Sequence, residues 1–317
     1  MHKRFVNHCT IDLALEPCGP ILIKSGKEGA DPTKPDMEFV ETYHQGGRSI
    51  YLPGSSLKGA IRAHAERIVR TVGSDQFNSK QPNLPWATDP LDRKSYEKLE
   101  KVEDPKAIYR QSSFTDQMFG SIHIASRIRI EDAYPSDRAA LKIEERNGVA
   151  IDRVFGSVAV GPFNYQVCTA GEFRTRIHLK NFSLAQLGLI GLVLRDLDDG
   201  WFGLGFAKSR GMGLVTVKLN AAVVQYPGCV LAEPNKISAL GSSKQWDDTT
   251  LLGAGEFLEP EERQRYGFPD HDRQQTPVKA QLMALGFGVQ LEWQAGTVND
   301  LFERSVKAWS QLLGVAA

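Results

Sequence analysis

The run Tyr51-Leu-Pro-Gly-Ser-Ser-Leu-Lys-Gly-Ala-Ile-Arg62 constrains this chain more than any other stretch. A short apolar strand, 50–52, runs into Pro53-Gly54, which breaks it. Ser55 and Ser56 follow, and either can cap a helix by accepting from an exposed backbone N–H. Beyond them Leu57, Ala60, Ile61, Ala65, Ile68 and Val72 recur at helical spacing. Lys58, Arg62, Arg67 and Arg70 fall on the opposite face. Turn, hydroxyls and lysine thus meet at one spot, an arrangement suited to a phosphate. It is not a Walker motif, because the spacing G-x-x-x-x-G-K-[ST] is absent. The plainer reading is a capped amphipathic helix with a solvated basic face.

Net charge bounds the possible partners. Lys plus Arg and Asp plus Glu are both 38, so the formal net charge is zero. Any nucleic-acid contact must come from local clustering rather than from the field of the whole molecule. The four cysteines are scattered without a C-x-x-C, which indicates neither a zinc site nor a disulfide framework. No signal peptide or membrane-length apolar run is visible, so a reducing, cytoplasmic setting without membrane contact is expected.

The remaining chain reads as a mixed α+β pattern. Phe5 to Leu15 alternates as a first strand. Lys24 to Asp36 is a loop rich in glycine, proline and charge, containing Lys24, Lys27, Asp31 and Asp36. Residues 74–110 read as an insertion with one short helix, Lys94 to Lys101. Ile122 to Ile130 reads as a strand with Arg127 and Arg129 on one face, and Arg138 to Arg146 as a short helix. Residues 149–172 mix β-branched and aromatic side chains with Gly156, Gly161 and Pro162, which predicts a protruding hairpin. Glu172 to Asn181 alternates, Ser183 caps a core helix, and 213–219 is a closing strand. A short strand over 289–293 and an amphipathic helix over 298–313 end the chain. The order β-α-β-β-α-β predicts a ferredoxin-like, RNA-recognition-type antiparallel sheet with long insertions. The core is expected over 1–226 and a C-terminal extension over 227–317, packing on the core or on a neighbouring subunit.

The segment Pro53-Gly-Ser-Ser-Leu-Lys-Gly-Ala-Ile-Arg62 resembles the signature of the RAMP superfamily of CRISPR-associated proteins. More narrowly, it is similar to the multi-copy backbone subunits of type III and type IV effector complexes. Three further stretches agree in order: Asp116-Gln-Met-Phe-Gly-Ser121, Arg127-Ile-Arg-Ile-Glu-Asp132 and the glycine-rich Gly203-Leu-Gly-Phe-Ala-Lys-Ser-Arg-Gly-Met-Gly213. The resemblance covers roughly the first 220 residues.

It implies a subunit that binds CRISPR guide RNA, the complementary target, further copies of itself head to tail, and other effector subunits. Backbone contacts are then expected from Ser55, Ser56, Lys58, Arg62, Lys208, Ser209, Arg210, Lys24 and Lys27. The hairpin becomes a thumb that displaces a base, with Phe155, Val160, Phe163 and Tyr165 as wedge candidates. In type III relatives an aspartate after the first strand supports metal-dependent RNA cleavage. Counting back from Pro53 points to Asp36, then Asp31, with Mg²⁺ needed only in that case and no cofactor otherwise. The loop is longer than the type III spacing, which brings the chain closer to type IV relatives that are not thought to cut. A stand-alone processing endonuclease finds no convincing catalytic set here. His64 reads as a helix-surface residue, and His44 and His123 carry no signal.

Overall fold

The computed structural model describes residues 4–26, 35–78, 80–81, 84–91 and 97–315. Lys27 and Asp31 lie outside the described residues. The elements that position the site are strand β1 (His8–Pro17), helix α1 (Gly54–Val72), strand β2 (Ile128–Ile130), and the paired strands β3 (Lys142–Ile151) and β4 (Val158–Ala170). Strand β5 (Phe173–Lys180), helix α2 (Leu184–Asp198) and strand β6 (Val215–Tyr226) follow. Strand β7 (Val289–Gln294) and helix α3 (Val298–Leu312) complete them.

The main sheet runs in the order Gln281–Leu282, β7, β6, β1, β5, β2, and every pairing in it is antiparallel. Strand β1 lies at its centre. Alternation sends Cys9, Ile11, Leu13 and Leu15 to the helix-covered face, where each is buried. The other face is polar. There Asp12 meets Arg176 at 3.1 Å, Glu131 meets His178 at 2.9 Å, and the His8 and His178 rings stack with centroids 5.5 Å apart. Around β1 and the C-terminal half of β5 it is a charge-paired surface.

Helix α2 opens with a capping box between Ser183 and Gln186. Its Gly188 and Gly191 let α3 approach closely: a Cβ at Gly188 would stand 2.4 Å from the Ser305 carbonyl oxygen. The segment after residue 227 therefore seats on the core, with β7 paired to β6 and Trp293, Leu301 and Trp309 buried in the same apolar cluster.

Several expectations are corrected. Arg138 to Arg146 is no helix: β3 begins at Lys142, and the hairpin spans 142–170 rather than 149–172. The strand expected from Ile122 is confined to Ile128–Ile130. Arg127 turns inward, with NH1 donating to the Tyr109 hydroxyl at 2.9 Å and the Asn181 carbonyl at 2.8 Å. His64 is buried rather than on the surface, because Asp196 pairs with its Nε2 at 2.7 Å and Phe202 stacks on its ring at 4.3 Å. Arg195 in turn holds Asp196, which satisfies the buried carboxylate.

Asp272 joins the C-terminal segment to the start of α2. Its carboxylate accepts from the Leu184 N–H at 2.8 Å and the Gly255 N–H at 2.9 Å. Burial nevertheless pushes its pKa up to about 7. The native state therefore binds this proton more tightly than the unfolded chain does. The resulting stabilisation is complete in acid and is lost as pH rises towards about 7. Unfolding free energies from urea titrations across that window are expected to fall with rising pH, by at most about 1.4 kcal/mol per pH unit for one proton. Asp272→Asn is expected to flatten the slope; an unchanged slope would place the titration elsewhere. No helix among the described residues is long and apolar enough to cross a membrane.

Candidate nucleic-acid interface

Segments far apart in sequence meet at the rim where β1 ends and β5 and β6 begin. Their links are main-chain hydrogen bonds. Ile21 and Cys168 exchange a pair, each 2.9 Å. Phe206 N–H donates to the Leu22 carbonyl at 2.7 Å, and Val40 N–H to the Ile23 carbonyl at 2.9 Å. Leu52 and Ala133 exchange another pair at 2.9 and 2.8 Å. Residues 20–23 thus form a spine, flanked by the glycine-rich loop and by the hairpin and residues 37–40. Tyr51 N–H, donating to the Val40 carbonyl at 3.4 Å, extends it to the start of α1.

The glycine-rich loop needs its glycines. Gly205 (φ +76°) and Gly213 (φ +86°) are left-handed, and a Cβ there would stand 2.2 Å from the Leu22 oxygen and 2.0 Å from the Leu204 oxygen. Between them Lys208, Ser209 and Arg210 form one exposed 3₁₀ turn. Lys24 Nζ lies 5.0 Å from the Phe206 ring centroid, and the Arg210 guanidinium carbon 5.8 Å from the same centroid. One ring therefore gathers two cations from different parts of the chain. Phe206 had no role in the sequence reading, because only the fold puts Lys24 beside it.

The start of α1 differs from expectation. Neither serine caps it: the helix begins at Gly54, with Pro53 at the cap position and no side-chain cap bond. Asp132 Oδ1 instead accepts from Gly54 N–H at 2.7 Å. A Cβ at Gly54 would lie 2.3 Å from the Ile130 oxygen, so glycine lets the helix press onto the end of β2. Ser55 and Ser56 fall in the first turn, whose N–H groups have no carbonyl a turn earlier within the helix to meet. Ser55 is exposed and Ser56 half-buried.

The basic face of α1 is only partly solvated. Lys58 Nζ donates to Ser126 Oγ at 2.8 Å, and burial, then the nearby Arg62 charge, lowers its pKa. Arg62 binds Asp116 Oδ1 at 2.7 Å, the Gly120 carbonyl at 2.9 Å and Glu66 Oε1 at 2.8 Å. Arg70 NH1 donates to the Thr88 carbonyl at 3.0 Å, while Arg67 is exposed.

Asp36 lies against the middle of β4 in the hairpin. It is exposed, and its Oδ2 accepts from Asn164 N–H at 2.9 Å. Met37 adds two main-chain bonds to the same strand, with Asn164 and Gln166. Among the described residues no group of three or more His, Cys, Asp or Glu is placed to hold a metal. Along the hairpin the wedge candidates separate. Phe155 at the turn is 84% exposed and Val160 64% exposed, whereas Phe163 packs on Gly148 and Tyr165 is half-buried near Asp36. Asp152 closes the turn by accepting from the Val154 and Phe155 N–H groups, which lower its pKa.

The rim therefore joins a cationic glycine-rich loop, a helix start with two hydroxyls, a lone carboxylate and an apolar-tipped hairpin. No curated protein matches the sequence. The family model of the RAMP superfamily matches residues 14–216, which run from the end of β1 through all of these parts to the start of β6. On that match the chain belongs to the RAMP superfamily, CRISPR-associated proteins that generally bind CRISPR RNA and act in effector complexes.

Proposed function

We propose that this chain is a guide-RNA-binding backbone subunit of a type IV or type III-like CRISPR effector complex. It polymerises head to tail along the spacer and presents the guide for pairing with a complementary target. What carries this reading is the main-chain spine that brings the glycine-rich loop, Lys24, the hairpin foot and the start of α1 onto one rim. The sheet order β6-β1-β5-β2, with α1 and α2 on one face, suits a ferredoxin-like assignment.

Lys208, Ser209, Arg210 and Lys24 take phosphates, and Ser55, Ser56 and Lys58 take a neighbouring one. Arg62, engaged by Asp116, Glu66 and Gly120, braces the helix start. The hairpin acts as the thumb, and Phe155 and Val160 are its exposed wedges. Base identity is read by pairing, so the protein contacts are independent of sequence. A formal net charge of zero lets copies stack without strong mutual repulsion.

A second reading, target-RNA cleavage, rests on the exposed Asp36. Its Oδ2 already accepts from the Asn164 N–H, and the side chain is exposed. Mg²⁺ is commonly held by one or two carboxylates together with substrate phosphates, and it would stabilise charge developing at the scissile phosphate.

The test is assembly with a guide RNA, then addition of labelled complementary RNA and Mg²⁺. The Lys208→Ala/Arg210→Ala double variant is expected to bind guide more weakly. Its plot of log affinity against log salt should be shallower by about 1.4, for two lost phosphate contacts. An uncut filament supports the scaffold. Regular cuts lost in Asp36→Ala support the nuclease. A chain that binds no guide RNA sinks both.

A further inference from the structure

Beside the start of α1 stands a column of rings that none of the roles above uses. His44 stacks on Tyr134 with centroids 3.7 Å apart and planes 4° from parallel. Tyr134 stacks in turn on Tyr51 at 5.8 Å and 18°. The rings come from three places: the hairpin of Glu41–His44 with Gly47–Ile50, the strand Tyr134–Pro135, and the residue leading into Pro53-Gly54. Each is half-buried, so the column is neither core nor fully solvated.

Aromatic pairs generally prefer offset or edge-on contact over close parallel stacking. Near-parallel planes at base-like separation are what a nucleobase finds on its neighbours, and every base has a π face to offer. The geometry is also held in place. Tyr134 hydroxyl bonds to Asp132 Oδ2 at 3.3 Å, and the other oxygen of that carboxylate accepts the Gly54 N–H. The ring column and the helix start are therefore fixed by one side chain.

Cations stand around it. Tyr134 pairs with Arg174 across the sheet, which puts both on the open face. Arg174 is exposed and held by Glu172 at 2.8 Å, a surface ion pair that a phosphate can contest. The exposed Arg138 reaches the backbone of Gly47, where a Cβ would lie 2.2 Å from its NH1. Glycine at 47 thus lets this guanidinium lie against the hairpin that carries His44.

We propose that His44, Tyr134 and Tyr51 form a stacking shelf for one unpaired base of the bound single-stranded RNA, with Arg138 and Arg174 beside its phosphates. The proposal rests on the RNA-binding reading above. It adds a base-holding site to a rim whose loop and helix contacts are with the RNA backbone, and the hairpin supplies the unpaired base by displacing it.

The test uses the full chain and single-stranded RNA carrying 2-aminopurine at successive positions, whose fluorescence falls on stacking. In the parent chain one position per bound subunit is expected to be quenched. His44→Ala is expected to restore fluorescence there and weaken binding roughly tenfold, while His44→Phe keeps the quenching. An abasic site at that position should bring parent and His44→Ala to equal affinity. The Lys208→Ala/Arg210→Ala variant should bind weakly yet remain quenched at saturation, which separates the shelf from the backbone contacts. Equal fluorescence and affinity for parent and His44→Ala at every position would overturn the shelf while leaving RNA binding standing. A parent chain that binds no RNA overturns both.

Discussion

Urea unfolding of Arg62→Ala is expected to give a stability about 3 kcal/mol below that of the parent chain. The reason lies in Asp116, which is 2% exposed. Arg62 NH2 approaches one of its oxygens at 2.7 Å, while the other accepts from Thr88 Oγ1 at 2.7 Å and Ser113 Oγ at 2.8 Å. Removing the guanidinium leaves a buried carboxylate with two hydroxyl donors but without its cation. It also takes a donor from the Gly120 carbonyl and leaves Glu66 paired with Arg70 alone, at 3.6 Å. Arg62→Lys should recover only part of the loss, because an ammonium cannot span three acceptors with the planar fork. Lys58→Ala, which loses one bond to Ser126, should cost about 1 kcal/mol. If Arg62→Ala kept parental stability and lost only RNA affinity, Arg62 would be a phosphate ligand rather than a brace.

Gly213→Ala should be nearly as damaging, and on both stability and binding. At φ +86° an L side chain is strained, and its Cβ would sit 2.0 Å from the Leu204 oxygen. That oxygen belongs to the same tight turn in which Leu204 N–H donates to Gly213 carbonyl at 2.8 Å, and Gly213 N–H donates to the Pro20 carbonyl at 2.9 Å. The backbone must give way, at a cost of about 2–3 kcal/mol. The turn carrying Lys208 and Arg210 is then displaced from the spine. Guide-RNA affinity is expected to fall at least as far as in the Lys208→Ala/Arg210→Ala variant, with both cations still present. Gly211→Ala is the control: its φ is +79° but nothing lies within 4 Å of its Cβ. It should show backbone strain alone, about 1 kcal/mol, and near-parental binding.

The parts legible from sequence were those whose cause is local. The spacing of Leu57, Ile61 and Ala65 predicts α1, and Ser183 predicts the start of α2. Errors arose where the cause is a distant partner. Arg62 and His64 looked solvent-facing on helical spacing, but Asp116 and Asp196 draw them inward from 54 and 132 positions away. Strand β3 was hidden for a different reason. Both its faces are largely exposed, so Lys142 to Ile151 shows little of the apolar alternation that marks a half-buried strand. The ring column was illegible because its members are separated in sequence and only the fold stacks them. Serine capping failed for a sterically simple reason: the main chain of Gly54 presses onto β2, and Asp132 reaches the first N–H instead.

The central position of β1 also bears on how the chain is made. It precedes both of its neighbours in the chain by a long way: Thr10 and its β5 contact His178 are 168 positions apart. During translation it waits with open edges, as most of the other elements emerge before β5 and β6 can close on it. Contacts of such long sequence separation fold slowly, and unpaired edges invite association with other nascent copies. For a protein proposed to assemble with itself, the same chemistry that builds the subunit must be kept waiting until the last strand has arrived.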